Sequence, residues 1–158
     1  PCSTIAQEHP HKLENITKVT TLVWLDPTGE LPEGISEARL RAIIEQKLRS
    51  AGLRVLTESE YTSDPEIKPY VFLVVSTIQS RNHGGGIIGY AYRVDLSARV
   101  GAKIPFNRAF APLEIWTTGA LAESSKFPSK HIEKIVAELT DLFIKAWLEA
   151  NPKNTQPN

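Results

Sequence analysis

The hydrophobic and polar positions of the chain alternate most clearly over residues 90–100. Apolar residues occupy every second position of this run, and Arg93, Asp95 and Arg99 lie between them. A period of two with one polar side predicts a strand with one buried face and one face in solvent. The run before it, residues 70–75, is apolar on both sides, which is typical of a strand nearer the middle of a sheet.

The two runs are connected by a glycine-rich segment that contains His83, Gly84, Gly85 and Gly86. This connection predicts a β-hairpin with a flexible tip. Consecutive glycines contribute no packing, so the tip is a candidate partner-binding element. The alternative is that the glycines only allow the strands to turn. With Gly89 the segment also fits the spacing of a dinucleotide-binding fingerprint, but that motif requires a helix after the glycines, and the chain continues as a strand.

Residues 19–25, 53–56 and 113–121 have the composition of strands, and residues 37–51 and 129–150 have the period of amphipathic helices. A strand, a helix and a second strand in succession indicate a crossover between parallel strands. Each helix has one apolar stripe and must therefore lie on a sheet. The order β-α-β-β-β-β-α predicts an α/β two-layer sandwich, in which a mixed sheet of about five strands carries both helices on one face.

The length of 158 residues suits one folded domain. Residues 1–17 are polar and follow neither period, which predicts a disordered leader, and residues 151–158 predict a disordered tail. The single α/β domain is then expected to span residues 18–150. The 18 basic and 18 acidic residues balance, so the composition does not favour binding to nucleic acid or to anionic lipid.

The chain contains no methionine, which predicts an exported protein that has lost its leader. Its only cysteine is Cys2, so no disulfide can form within the chain. A bacterial lipoprotein carries its lipid on a cysteine at the mature amino terminus, which makes Cys2 a lipidation candidate, although Pro1 stands where a small residue is expected. The alternative is a cysteine in a disordered start. Membrane attachment is expected only through such a lipid.

The sequence lacks a complete set of residues for any common chemistry. It has no Gly-x-Ser-x-Gly elbow and no Ser-x-x-Lys pair, and His131 lacks the second histidine of a zinc-protease helix. We therefore predict no catalytic residues, no cofactor and no metal site. A small hydrolase remains an alternative if the fold brings together His83, Asp95, Glu114 and a serine. A second alternative is self-association through an exposed sheet edge.

The solvated face of the predicted sheet is the second candidate for partner binding. Its predicted members are charged, polar and aromatic residues: Arg93, Asp95, Arg99, Glu114, Trp116 and Thr118. An exposed tryptophan among charges is typical of a binding surface. The alternative is that the connection at residues 101–112 covers Trp116.

Three short stretches of the sequence resemble those of known proteins. The first helix ends in Ala-Gly-Leu-Arg-Val at residues 51–55, the hairpin's second arm reads Gly-Tyr-Ala-Tyr-Arg-Val-Asp-Leu at residues 89–96, and Trp-Thr-Thr-Gly follows at residues 116–119. Together with the order of elements over residues 18–150, they resemble a group of small, uncharacterised bacterial exported proteins. The order is also similar to that of the amino-terminal domain of the periplasmic protein TolB. The resemblance implies a periplasmic or membrane-anchored location and a role in binding or assembly with an envelope protein.

Overall fold

The computed structural model describes residues 3–7, 10–27, 34–63, 68–103, 110–125 and 128–152. The strands are β1 (Ser3–Gln7), β2 (Lys18–Leu25), β3 (Arg54–Val55), β4 (Tyr70–Arg81), β5 (Ile87–Lys103) and β6 (Phe110–Ser124). The helices are α1 (Glu37–Ser50), the short α2 (Glu58–Ser63) and α3 (Ser129–Ala150), and a 3-10 turn covers Pro10–Leu13.

The strands form a mixed sheet in the order β1-β6-β5-β4-β2-β3. The pairs β1/β6, β6/β5 and β5/β4 are antiparallel, whereas β2 is parallel to both β4 and β3. The strand-helix-strand crossover is therefore confirmed, with α1 connecting β2 to β3. Helices α1 and α3 contact each other and pack on the same face of the sheet, which confirms the predicted α/β two-layer sandwich.

Local signals in the sequence explain the bounds of α1. The Ser36 hydroxyl caps the helix by accepting a hydrogen bond from the Arg39 backbone N–H at 3.2 Å. Leu40, Ile44 and Leu48 follow at helical spacing and are fully buried against the sheet. Gly52 ends the helix with a φ of 88°, a backbone conformation that glycine adopts without a steric penalty.

The core lies between the helices and the alternating residues of β4 and β5. On β5 these residues are Tyr90, Tyr92, Val94, Leu96 and Ala98, all of them buried as predicted. The Tyr92 hydroxyl shares a short hydrogen bond with Nδ1 of His131 at the start of α3. His131 thus satisfies a polar group at the edge of the core.

The amino-terminal segment corrects the prediction of a disordered leader. Strand β1 pairs with β6, with Ser3 opposite Leu121. Leu13 and Ile16 are both buried in the core, and the Trp147 indole N–H donates a 2.7 Å hydrogen bond to the Ile16 carbonyl. Residues 3–7 and 10–17 therefore belong to the folded domain, and its lower boundary at residue 18 is wrong.

Asn151 holds this segment from the other end of the chain. Its Nδ2 donates to the carbonyls of Leu13 and Trp147, at 2.9 Å each, and its Oδ1 accepts a 2.8 Å hydrogen bond from the Asn15 backbone N–H. The predicted disordered tail therefore does not begin at Asn151, whereas residues 153–158 lie outside the described part of the chain.

Candidate functional site

One face of the sheet carries α1 and α3, and the opposite face presents side chains to solvent. We call this second surface the open face. The register of the strands places the following side chains on it: Leu22 and Trp24 from β2; Phe72, Val74, Ser76 and Ile78 from β4; Arg93, Asp95 and Arg99 from β5; Glu114 and Leu121 from β6. Because paired residues of neighbouring strands lie side by side, these positions form one continuous surface.

The open face has an apolar half and a charged half. In one row across the sheet, Leu22 of β2 lies beside Phe72 of β4. In the next row Trp24 lies beside Val74, and Val74 lies beside Asp95 of β5. Trp24 keeps 46% of its surface exposed, so β2 and β4 present a large aromatic ring to solvent next to the charges of β5.

Two ion pairs form the charged half. Nε of Arg93 lies 2.6 Å from Oδ2 of Asp95, and Nη2 of Arg99 lies 3.4 Å from Oε2 of Glu114. The Arg99 guanidinium also stacks over the Phe72 ring at 4.6 Å from its centroid, a cation–π arrangement. The fold thus brings the predicted residues Arg93, Asp95 and Arg99 onto one surface, where their charges are balanced by carboxylates.

Gly119 of β6 lies opposite Asp95 and leaves room for its carboxylate. A Cβ added at Gly119 would overlap Oδ1 of Asp95 and would approach the Val94 carbonyl oxygen to 3.3 Å. The position of the Arg93–Asp95 ion pair therefore depends on a glycine of the neighbouring strand.

We expect Gly119→Ala to lower the free energy of unfolding by about 1–2 kcal/mol, because the new methyl group must displace a carboxylate. Urea denaturation of the variant measures the loss. The matched control is the same change in an Asp95→Ala background, where the obstacle is gone and less than half of the loss should remain. An equal loss in both backgrounds would show that the carboxylate is not the obstacle.

Trp116 and Thr118 are not on the open face, contrary to the prediction. Thr118 is 2% exposed and lies opposite the buried Leu96. Trp116 is 6% exposed and packs edge-to-face against Phe143 of α3, with ring centroids 5.2 Å apart. The cause is a β-bulge: Ala98 pairs with Trp116 and Arg99 with Glu114, so that Ile115 has no opposite residue on β5. One extra residue reverses the alternation of the strand after it. Helix α3 covers Trp116, whereas residues 104–109 of the connection named in the alternative lie outside the described part of the chain.

Trp24 lies on the open face, where Trp116 was predicted to lie. Sequence reasoning missed it because residues 19–25 are apolar on both sides of the strand, with Val19 and Val23 on the buried side and Leu22 and Trp24 on the other. The polar residues of β2 mark its two sides only weakly, because Lys18 and Thr20 alternate with Leu22 and Trp24 whereas Thr21 lies on the buried side. A further local signal is that Trp24 lies two residues before Asp26, where the strand ends.

The hairpin tip is ordered by Asn82, which the sequence analysis did not single out. Its side-chain oxygen accepts hydrogen bonds from the backbone N–H groups of Gly84 at 3.0 Å and Gly86 at 2.9 Å. Gly85 has a φ of 80°, so the turn itself requires a glycine there. His83 is exposed at the tip. The turn therefore requires Gly85, and the role of the glycine-rich tip in partner binding stays a prediction.

The residues proposed for a hydrolase lie apart. Asp95 pairs opposite Val74, and the tip that carries His83 begins eight residues further along β4, about 26 Å away at the rise of a strand. Glu114 lies opposite Arg99, four residues along β5 from Asp95, or about 13 Å. These three groups cannot act on the same substrate atom in this arrangement.

A cavity of about 450 Å³ lies where the hairpin leaves the sheet. Its lining includes Ser80, Tyr90, Glu123 and Ser124. Within the described ranges, no group of three or more His, Cys, Asp or Glu side chains is placed to hold a metal ion. Cys2 lies outside the described residues, so its lipidation stays a prediction.

Glu60 has a shifted pKa for a structural reason. Its Oε2 accepts a 2.8 Å hydrogen bond from the Thr57 backbone N–H, and its Oε1 accepts a 2.7 Å bond from Nη2 of Arg54. These contacts, the backbone bond first, lower the pKa of Glu60 to about 2. The charged carboxylate caps α2. The stability that this cap contributes is fully present above the usual pKa of 4.5 and is lost as the pH falls towards 2.

No family model and no curated protein matches the sequence. Solved structures match by fold. The PelC dodecamer from Paraburkholderia phytofirmans superposes with a TM-score of 0.50 at 14% identity, over 88% of this chain and 94% of that chain. A minor lipoprotein from Acinetobacter baumannii matches with a TM-score of 0.40 at 9% identity, over 87% and 95%. The rare lipoprotein B from Shewanella oneidensis matches with a TM-score of 0.33 at 13% identity, over 85% and 94%.

The structural neighbours thus include lipoproteins, and PelC shares the fold of this chain. At these identities the likeness concerns the fold alone. The similarity to the amino-terminal domain of TolB stays a prediction. None of the helices in the described ranges is both long and apolar enough to span a membrane.

Proposed function

We propose that this chain is a non-enzymatic binding and assembly domain of the bacterial cell envelope, and that it contacts its protein partner through the open face. The observation that carries the proposal is the exposure of Trp24 beside Leu22 on the open face. Tryptophan is the residue type most enriched among those that dominate binding energies, because its large ring gains much from leaving water.

The dimensions of the open face suit a protein partner. Four neighbouring strands and about five rows of side chains cover roughly 20 Å by 25 Å, or about 500 Å². An exposed apolar patch bordered by charges is typical of an interaction site on a soluble protein. The charges within each of the two ion pairs balance, so these arginines offer no excess positive charge to a nucleic acid or an anionic lipid surface.

The envelope location is supported by the sequence resemblance to exported bacterial proteins, and attachment to a membrane would occur through a lipid on Cys2. The solved structure that shares this fold is described as a dodecamer. This supports a role in assembly, since the same architecture forms a large complex in that protein. The hydrolase alternative has no comparable support, because its candidate residues are separated along the sheet.

The test is site-specific photocrosslinking in living bacteria. A photoreactive amino acid at Ser76, between Val74 and Ile78 on the open face, should give a covalent adduct in the envelope fraction. The control position is Lys134 of α3, whose side chain is 72% exposed on the helical side, and it should give no adduct. Adducts at Lys134 alone, or at neither position, would contradict the proposal. The intact mass of the chain from the membrane fraction tests the lipid on Cys2.

A further inference from the structure

The charge pattern of the open face indicates what kind of partner it fits. Arg93 and Asp95 lie two residues apart on β5, about 7 Å along the strand. A two-fold axis parallel to the sheet, perpendicular to the strands and lying above the open face between these two residues, would set Arg93 of each copy opposite Asp95 of the other. The face is therefore complementary to itself.

We infer that the open face docks a second copy of this chain, face to face, about such an axis. The inference rests on the proposed function, because both use the same surface. Two sheets pack about 10 Å apart with interdigitating side chains, a distance that an arginine and an aspartate can bridge together. In the dimer, Arg93 of each copy then pairs with Asp95 of the other copy.

The same axis sets apolar positions of β4 opposite one another. It relates positions on β4 at equal distances from Val75, so that Ile78 of one copy meets Phe72 of the other. Ile78 is 70% exposed on this surface, and the Leu22 side chain lies beside Phe72. Docking would cover the most exposed apolar side chain of the face with the partner's apolar row, which favours a second copy over a partner of net charge.

The size of the contact sets the expected affinity. Two faces of about 500 Å² bury roughly 1,000 Å² in total, near the lower limit for specific protein interfaces. We therefore expect a reversible dimer with a dissociation constant in the micromolar range. Sedimentation velocity from about 1 to about 500 µM chain should show the mass rising from 17.5 kDa to about twice that value.

Two leucines provide a matched pair of variants. Leu22 on the open face and Leu142 on α3 are each 38% exposed, so Leu22→Ser and Leu142→Ser remove the same side chain from equally exposed positions. Leu22→Ser should raise the dissociation constant about tenfold or more, and Leu142→Ser should leave it unchanged. Equal effects of the two variants, or a dimer unaffected by Leu22→Ser, would overturn the inference.

Charge reversal tests the axis itself and does not depend on Leu22. Arg93→Asp and Asp95→Arg should each weaken self-association, because each sets like charges opposite one another. An equimolar mixture of the two variants should dimerise again, since the introduced carboxylates of one copy meet the arginines of the other. A mixture of the two variants that stays monomeric would overturn the two-fold arrangement. A parent chain that forms a closed ring of many copies would also overturn it.

The outcomes separate the two proposals. A chain that remains monomeric at every concentration, yet forms an adduct with a different envelope protein from Ser76, would overturn self-docking and retain the proposed function. A monomer without any adduct from Ser76 would overturn both. A dimer that Leu22→Ser dissociates, together with a Ser76 adduct of two copies of the chain, supports both.

Discussion

A Trp116→Ala variant is expected to unfold with a free energy about 3–5 kcal/mol below that of the parent chain. Trp116 is buried between β6 and α3, and its ring meets the Phe143 ring at an interplanar angle of 67°. Removing it loses the burial of the indole and leaves a cavity that a sheet and a packed helix cannot close. Urea denaturation followed by circular dichroism measures the change.

Trp24→Ala is the control, because it removes the same side chain from the opposite face. Nearly half of Trp24 is in solvent, so its loss should cost less than about 1 kcal/mol of stability while it weakens partner binding through the open face. If Trp116→Ala left stability unchanged and abolished partner binding, the assignment of the two tryptophans to the two faces would be reversed.

A Leu13→Ala variant should lose about 2–5 kcal/mol of unfolding free energy. Leu13 is fully buried although it belongs to a segment whose sequence is mostly polar. Its carbonyl accepts a hydrogen bond from Asn151, so the surrounding backbone is fixed and cannot collapse into the space. Thermal and urea unfolding of the full chain provide the measurement.

The neighbouring Lys12 provides the control for Leu13. Lys12 is exposed on the same 3-10 turn, and Lys12→Ala should change stability by less than about 0.5 kcal/mol. A Leu13→Ala variant as stable as Lys12→Ala would mean that residues 10–16 are not part of the core. It would also return the lower boundary of the domain to residue 18.

Much of the fold could be predicted because its central elements carry strong local patterns. The alternation on β5 and the apolar stripes of α1 and α3 each arise from one face meeting water and the other meeting the core. The same alternation predicts that Arg93, Asp95 and Arg99 lie on the solvated side of the sheet. These assignments need no knowledge of distant contacts, and the structure has the residues where the pattern places them.

The amino-terminal segment could not be predicted for the opposite reason. Its order depends on partners more than a hundred residues away, since Ile16 accepts a hydrogen bond from Trp147 and Leu13 accepts one from Asn151. Two buried side chains in a short polar stretch produce no period. The pairing of β1 likewise depends on a free edge of β6, which is a property of the assembled sheet.

The candidate site was predicted in part. Its charged half follows from the alternation of β5, but its aromatic half lies on β2, where both sides of the strand are apolar and hydropathy alone cannot choose between them. Trp116 was assigned to the wrong face because a bulge depends on how two strands register and leaves no trace in the hydrophobic pattern of one of them.

The unpaired Ile115 also has a consequence for how this gene can change. Deleting that one codon would remove the extra residue and leave Trp116 opposite Ala98 and Glu114 opposite Arg99, so each side chain of β6 would keep its face. A one-codon deletion within residues 117–121, where β6 pairs with both β5 and β1, has no extra residue to absorb it and would turn part of the strand over. Viable descendants should therefore tolerate the loss of one residue at the bulge more readily than elsewhere in β6.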